Sequence, residues 1–289
     1  MTRSVGHPEI DGLCIRSMRT DEIALAIDWA AAEGWNPGLA DAPCFATVDP
    51  DGFLVAERNG EPVATISCVN YDERFAFLGF YIVRPDLRGR GYGLKIWTAA
   101  MAHAGLRVVG LDGVVAQQEN YRKSGFSYAY ANLRFGGVAK APRSRQAGIV
   151  PLTKIPFAIV EASDATVFPA RRSAFLKSWI CAPGHVGRAL MRNGELVGWG
   201  VVRPCRTGYK IGPLVADDRA AAEAVLSALL AEIGDAEVFL DAPAVNRDAV
   251  ALAQDLGLAP VFETARMYTG PIPPLRMERV FGVTSFELG

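Results

Sequence analysis

The chain of 289 residues carries one pattern of residues twice, and this repeat constrains its fold more than any other feature. The tetrapeptide Arg-Asn-Gly-Glu at 58–61 recurs at 192–195, an offset of 192 − 58 = 134 residues. Three further pairs of landmarks follow in the same order, at offsets of 132, 129 and 132 residues: 81–83 with 213–215, 111–112 with 240–241, and 125–126 with 257–258. Four landmarks in one order at a nearly constant offset predict two copies of one domain.

The predicted elements follow in the same order in both copies. In the first copy the predicted strands are 13–19, 53–58, 62–70, 75–83, 108–111 and 127–135, and the predicted helices are 21–33, 92–104 and 119–124. In the second copy the predicted strands are 157–160, 186–192, 196–202, 209–215 and 238–240, and the predicted helices are 165–179, 219–233 and 247–256. Antiparallel strands followed by a helix–strand–helix ending predict an α/β fold, in which each copy has a central mixed sheet flanked by helices.

The repeat also predicts the domain boundaries. We expect one domain at 1–138, a second at 156–289 and a linker at 139–155. The linker carries Lys140, Arg143 and Arg145 with two prolines and few large apolar residues. This composition is typical of a solvated connection, and an anion site on the basic cluster is the alternative.

The composition narrows the class of protein. Apolar residues make up 50% of the chain and charged residues 21%, as in a globular protein with a sizeable core. The net charge of −1 gives no global basic field, so we expect no nucleic-acid partner and no membrane partner. No apolar run approaches the roughly 20 residues that cross a bilayer, and residues 1–11 lack the apolar core of a secretion signal. We therefore expect a cytoplasmic protein.

The cysteines and histidines predict neither a disulfide framework nor a metal site. The five cysteines lie far apart and form no Cys-x-x-Cys pair, and the three histidines show no metal-ligand spacing. We expect reduced, mostly structural thiols and no bound metal.

Residues 82–93, Ile-Val-Arg-Pro-Asp-Leu-Arg-Gly-Arg-Gly-Tyr-Gly, join a predicted strand to a predicted helix through a glycine loop. Glycines let backbone N–H groups converge on an anion, and a helix N-terminus adds a favourable dipole. The loop lacks the Gly-Lys-Ser/Thr ending of a P-loop, and its glycines do not have the Gly-x-Gly-x-x-Gly spacing of a dinucleotide site. What remains is Arg-x-x-Gly-x-Gly, formed by Arg88, Gly91 and Gly93.

This string, with Val83 and Pro85 before it, closely resembles the coenzyme A pyrophosphate loop of the GNAT superfamily of N-acyltransferases. A second motif supports the resemblance, because 121–126 fit the Tyr-x-x-x-Gly-Phe ending of many members. The resemblance spans the first copy. It implies acetyl-CoA as co-substrate, bound where two parallel strands separate, and an amine on a small molecule or peptide as acceptor. The residues that it assigns to the coenzyme are Ile82, Val83, Arg88, Gly89, Arg90, Gly91, Tyr92, Gly93, Asn120 and Lys123.

The resemblance also implies a catalytic residue. Tyr121 corresponds to a tyrosine that often lies near the thioester sulfur, where a phenol can donate a proton to the departing thiolate. A tyrosine packed on the sheet is the alternative. The asparagine that many members have seven residues earlier is replaced here by Val114, and Gln117, Gln118 and Asn120 could substitute for it.

The acceptor side of the predicted site is less defined. In the family the loop after the first helix borders the acceptor, which implies roles for Glu33, Trp35, Asn36 and Asp41. A Trp35 that fills the core beneath a turn is the alternative. The predicted strand 75–83 lacks the carboxylate that serves many relatives as a base. The nearest alternatives in the sequence are best interpreted as ordinary surface carboxylates, and they are Asp72, Glu73, Glu119 and Glu33.

The second copy lacks both motifs. At the position of the glycine loop it reads Val-Ala-Asp-Asp-Arg-Ala-Ala-Ala at 215–222, and Ala253 stands where the first copy has Tyr121. The sequence therefore predicts an acetyl-CoA-dependent N-acetyltransferase with one active copy, in which the amine attacks directly within a ternary complex. A non-catalytic acyl-CoA sensor is the alternative. The acceptor, the general base, the length of the acyl group, the role of the second copy and the oligomeric state stay open.

Overall fold

A computed structural model describes residues 12–140 and 147–289. Arg143 and Arg145 of the predicted linker lie outside the described residues. No helix in the described ranges has the length and apolar character needed to span a membrane.

The described strands are β1 Leu13–Ser17, β2 Phe53–Arg58, β3 Glu61–Asn70, β4 Phe75–Val83, β5 Val108–Val114, β6 Ser127–Val138, β7 Ile149–Pro151, β8 Val186–Arg192, β9 Glu195–Pro204, β10 Tyr209–Ala216, β11 Glu237–Pro243, β12 Ala259–Tyr268 and β13 Val280–Gly282. The described α-helices are α1 Ile23–Ala32, α2 Asp41–Phe45, α3 Tyr92–Ala104, α4 Gln118–Lys123, α5 Phe157–Asp164, α6 Ser173–Cys181, α7 Arg219–Ile233 and α8 Arg247–Asp255. Short 3₁₀ turns connect several of them. The predicted α/β class, a mixed sheet flanked by helices, is confirmed.

The sheets of the two halves are continuous. The strand order is β1-β2-β3-β4-β5-β12-β6-β11-β10-β9-β8-β7, and β13 pairs with β10. Strand β12 of the second half therefore lies between β5 and β6 of the first, and β6 lies between β12 and β11 of the second. Each half contributes its last long strand to the other half, an exchange that the sequence did not predict.

Two buried arginine–aspartate pairs, called the crossed pairs below, join each exchanged strand to a strand of the other half. Arg266 on β12 donates to both carboxylate oxygens of Asp112 on β5, at 2.9 and 2.6 Å. Arg134 on β6 donates in the same way to Asp241 on β11, at 2.7 and 2.8 Å. The second pair repeats the first at offsets of 132 and 129 residues (266 − 134 and 241 − 112). The repeated Leu-Asp landmark thus marks the residues that hold the exchanged strands.

Three apolar clusters account for most of the core. One lies between the halves and joins α1 and α2 to α6, with Phe45 and Trp179 stacked at 6.0 Å between ring centroids. The other two lie under α3 in the first half and under α7 and α8 in the second. The halves therefore share a core on one face of the sheet and keep separate cores elsewhere.

The prediction of a strand at 157–160 is wrong, because these residues begin α5. The run Phe-Ala-Ile-Val is apolar throughout, and such a short run fits a buried strand or a buried helix turn equally well. Residues 165–172 precede α6 and are not helical, although the sequence predicted a helix there. The edge strand of the second half is β7, which lies within the predicted linker 139–155.

Removing one partner of a crossed pair should destabilise the whole fold. Asp241→Asn leaves the Arg134 guanidinium buried without its carboxylate, so we expect a loss of about 3–5 kcal/mol in the free energy of unfolding. Asp255→Asn is the control, because its pair with Arg219 is exposed and such pairs contribute about 1 kcal/mol or less. Urea unfolding followed by circular dichroism measures both variants. Equal losses would show that the crossed pair is no more important than a surface pair.

Candidate active site

The main cavity of the first half opens where β4 and β5 separate. These parallel strands pair only between 75–78 and 108–111, and beyond that point a cavity of about 310 Å³ lies between them. This separation was predicted. The cavity is lined by Glu33, Trp35, Leu78, Gly79, Phe80, Tyr81, Ile82, Val83, Arg88, Leu111, Asp112, Gly113, Val114, Gln117, Tyr121, Arg134, Phe262, Thr264, Phe286 and Glu287.

A bulge in β4 produces the separation. The register between β3 and β4 shifts next to Thr65, and Phe80 has a φ of 48°, a conformation that costs about 1–3 kcal/mol in a non-glycine residue. The buried Thr65 hydroxyl donates to the Phe80 carbonyl at 3.0 Å and holds the bulge. The next residues of β4 therefore leave their backbone groups without a partner on β5.

The glycine loop ends at the N-terminus of α3, as the sequence predicted. Gly89 and Gly91 have φ values of 77° and 86°, in the left-handed region that glycine adopts readily. Within α3 the N–H of Lys95 reaches back to the Gly91 carbonyl at 3.2 Å, and the N–H groups of the first helical turn before it have no intrahelical acceptor. Together with the helix dipole, these groups can bind an anion.

The Arg88 side chain lies between the loop and the cavity. Its Nε donates to the Val83 carbonyl at 3.0 Å, and its guanidinium pairs with Glu33 at the end of α1. Arg88 therefore joins the loop, the end of β4 and the end of α1, and it occupies one lone pair of a carbonyl predicted to bind the coenzyme.

Tyr121 reaches the cavity from α4. Its ring stacks on Trp97 with 5.8 Å between centroids, and only 9% of the residue is exposed. Burial raises the pKa of Tyr121 to about 12, and the nearby Tyr81 adds to the shift. The hydroxyl therefore stays protonated at neutral pH and can donate a hydrogen bond into the cavity.

The structure brings several predicted residues together and separates others. Glu33, Trp35, Ile82, Val83 and Arg88 line the cavity with Tyr121. Tyr92 packs into the core beneath α3. The other four predicted loop residues are exposed or half-buried at or just before the start of α3, and they are Gly89, Arg90, Gly91 and Gly93. Asn120 and Lys123 are exposed on α4 outside the cavity, and Asn120 donates to Gln117 at 2.6 Å.

Two residues assigned to the acceptor instead bind the second half. Asn36 exchanges two hydrogen bonds of 2.9 Å with the backbone of Thr207. Asp41 is 1% exposed, accepts from Arg203 at 3.0 Å and lies outside the cavity. Both side chains therefore attach the 33–41 loop to the second half, and neither lines the cavity.

The sequence reasoning missed one wall of the cavity. Phe262 and Thr264 come from the exchanged strand β12, and Phe286 and Glu287 come from the segment after β13. Arg134 lies over the Phe286 ring at 4.8 Å. No motif marks these residues, and the sole signal is that the second half continues well past its last repeated landmark at 257–258.

The corresponding cleft of the second half is filled by the chain itself. Strands β10 and β11 pair in parallel only at 209–211 with 238–240, and β13 then pairs with β10 while the N–H of Val283 donates to the Asp241 carbonyl at 2.9 Å. A cavity of about 30 Å³ remains beside it. At the start of α7 the Asp218 carboxylate accepts from the N–H of Ala221 at 2.7 Å and occupies the place of an anion.

Two buried threonines should respond differently to loss of the hydroxyl. The hydroxyl of Thr264 is buried beside the cavity without a hydrogen-bond partner in the described chain, whereas that of Thr65 has one. Thr264→Val should therefore leave the free energy of unfolding unchanged or raise it by up to about 1 kcal/mol. Thr65→Val, the matched control, should lower it by about 1–3 kcal/mol. Urea unfolding of both variants measures this, and a large loss in Thr264→Val would mean that its hydroxyl has a partner.

Two family models match the chain, one in each half. A model described as Acetyltransferase (GNAT) family matches residues 21–126, and a model described as Acetyltransferase (GNAT) domain matches residues 160–282. These matches agree with the repeat found in the sequence.

Similar proteins extend the match over nearly the whole chain. Holothin acyltransferase of Pseudoalteromonas sp. (strain SANK 73390) is 33% identical over 270 residues, which span 93% of this chain and 92% of that protein. A solved structure from Pyrococcus horikoshii, assigned as an acetyltransferase, covers 100% of both chains with a TM-score of 0.83 at 25% identity. A tandem GNAT protein from the clavulanic acid biosynthesis pathway has the same fold, with a TM-score of 0.61 at 16% identity over 90% of this chain and 99% of that one. The chain therefore belongs to the GNAT family and is an acyltransferase that carries the GNAT domain twice.

Proposed function

We propose that the protein is an N-acetyltransferase that transfers the acetyl group of acetyl-CoA to a primary amine. One observation carries this proposal: Arg88 of the glycine loop, the separated strands and Tyr121 meet around one cavity of the first half, next to the N-terminus of α3. The second half keeps the fold but has a carboxylate at its helix start and a filled cleft. A single coenzyme site per chain follows from this contrast.

The coenzyme is assigned to the loop and the separated strands. Its pyrophosphate would bind the N–H groups of 89–93, with Arg90 adding positive charge. Ile82 and Val83 line the cavity at the free edge of β4, where the amides of the pantetheine arm can pair as a further strand would. The thioester would then lie beside Tyr121.

Direct attack by the amine requires no enzyme thiol. The nitrogen bonds to the thioester carbon, the carbon–sulfur bond breaks, and the thiolate leaves with the electron pair. Tyr121 would donate a hydrogen bond to that sulfur, and the pKa of Tyr121, about 12 against about 8.5 for a thiol, favours a hydrogen bond over complete proton transfer. Cys68 is a poor nucleophile, because burial raises the pKa of its thiol to about 12.

The first acceptor to test is holothin, because the 33% identical relative bears the name holothin acyltransferase. Release of the coenzyme A thiol would be followed with acetyl-CoA and holothin, benzylamine, spermidine or lysine. Product formation in mass spectrometry supports the proposal. Tight binding of acetyl-CoA with no acetylated amine in any reaction would favour the sensor alternative.

Replacing Gly91 should abolish coenzyme binding. A valine at this position opposes a φ of 86° and places a branched side chain among the N–H groups of the loop, so Gly91→Val should weaken coenzyme A binding about a hundredfold or more. Gly60→Val is the control, because Gly60 has a φ of 82° in the hairpin between β2 and β3, away from the cavity. Isothermal titration calorimetry measures both. Equal weakening in the two variants would mean that backbone strain alone, and not the loop, limits binding.

Removing the Tyr121 hydroxyl should slow turnover more than it weakens binding. A hydrogen bond that strengthens as the thiolate departs stabilises the transition state, so Tyr121→Phe should lower kcat about a hundredfold or more. The KM for acetyl-CoA should change by no more than about threefold. Tyr128→Phe is the control, since that hydroxyl belongs to an exposed residue on β6. Steady-state kinetics measures both variants, and an unchanged kcat in Tyr121→Phe would leave this tyrosine a purely structural role.

A further inference from the structure

We propose that Glu287, supplied by the second half, is the catalytic residue that accepts the proton of the acceptor amine. This inference rests on the proposed function and names the base of that same site. It also gives the second half a direct part in the reaction.

Three carboxylates line the cavity, and two of them are already engaged. Glu33 pairs with Arg88, and Asp112 accepts two hydrogen bonds from Arg266 and one of 2.7 Å from Asn132. The Glu287 carboxylate has no hydrogen bond or ion pair with any residue in the described part of the chain. Of the three, it is therefore the one free to accept a proton from a ligand.

Three buried basic side chains interact electrostatically with Glu287, namely Arg134, Arg203 and Lys210. Asp241 neutralises Arg134, and Asp41 neutralises Arg203. The third buried cation, Lys210, makes a contact of 3.5 Å from Nζ to the Trp35 carbonyl. Burial lowers the pKa of Lys210 and nearby Arg134 lowers it further, while Asp241 and, to a smaller extent, Glu287 oppose this change. Glu287 thus lies beside a buried lysine that has no ion pair among the described residues, and a carboxylate in this position can serve as a base.

The backbone around Glu287 is fixed on both sides. The Tyr71 hydroxyl donates to the Leu288 carbonyl at 2.8 Å, and the N–H of Val283 donates to the Asp241 carbonyl at 2.9 Å. Gly79 at the bulge of β4 allows close approach, because a Cβ there would lie 2.1 Å from the Glu287 carbonyl oxygen. A base held in this way needs little ordering when the acceptor binds.

The proton balance of the reaction is complete with these groups. The Glu287 carboxylate first takes one proton from the ammonium form of the acceptor, which leaves a neutral amine. As the amine nitrogen bonds to the thioester carbon, the electron pair of the carbonyl moves to oxygen and the nitrogen acquires a positive charge. The intermediate then collapses, the carbon–sulfur bond breaks, and the sulfur leaves as a thiolate hydrogen-bonded by Tyr121. The nitrogen loses its second proton through solvent to the thiolate, which gives the amide and free coenzyme A, and Glu287 releases its proton to solvent.

The test compares Glu287→Gln with the full-length wild type, using acetyl-CoA with holothin and with benzylamine. Glutamine keeps the size and polarity of the side chain but cannot take a proton, so kcat/KM for the acceptor should fall about a hundredfold or more at neutral pH. Coenzyme A affinity should stay within about twofold of the wild type, because the loop is untouched. Glu263→Gln is the control, since Glu263 is exposed on the same strand as Thr264 and lies outside the cavity. Glu287→Asp, which restores a carboxylate, should recover part of the loss.

The pH profile separates a base from a structural residue. For an alkylamine of pKa near 10, the wild type can use the ammonium form, so its kcat/KM should change little between about pH 6 and pH 9. Glu287→Gln should need the free amine and gain about tenfold per pH unit over this range. A parallel profile in both proteins, or a loss below about threefold, would overturn the assignment. If the wild type itself acetylates neither acceptor while binding acetyl-CoA, the proposed function fails, and the role of Glu287 fails with it.

Discussion

Two buried arginine–aspartate pairs, Arg266 with Asp112 and Arg134 with Asp241, fix the register of the exchanged strands, and the site depends on this register. Arg266 and Thr264 lie on the same face of β12, because side chains two residues apart point to one side of a strand. The pair between Arg266 and Asp112 therefore determines that Thr264 faces the cavity. A slip by one residue would turn both away and leave two buried charges unpaired, which makes alternative registers costly.

Strand exchange makes the candidate site a product of both halves. The first half provides the glycine loop, the separated strands and Tyr121, which are the parts suited to a thioester of coenzyme A. The second half provides Phe262, Thr264, Phe286 and Glu287, an apolar wall with two polar groups. The loop after α1 closes the space between them, since Asn36 is bonded to Thr207. The second half has no phosphate loop of its own, but it contributes residues to the site of the first half.

The sequence predicted what depends on local chemistry and missed what depends on contacts between the halves. The repeat, the bounds of α7 and the glycine loop were predictable, because propensity and glycine spacing decide them locally. The run at 157–160 was misread, since an apolar tetrapeptide has no distinctive period. Asn36 and Asp41 were assigned to the acceptor because nothing in their own loop reveals that Thr207 and Arg203 face them. Glu287 belongs to no motif, and its importance follows only from its position.

The strand β13 has a consequence for the symmetry of the molecule. A duplicated fold has two equivalent clefts, but the described residues between β6 and β7 contain no counterpart of the segment after β12. Strand β13 of this segment fills the cleft of the second half, and a few residues later Glu287 lines the cleft of the first half. The same stretch of chain thus fills the cleft of the second copy and completes the cleft of the first. Removing it to reopen the second cleft would also remove a wall of the first.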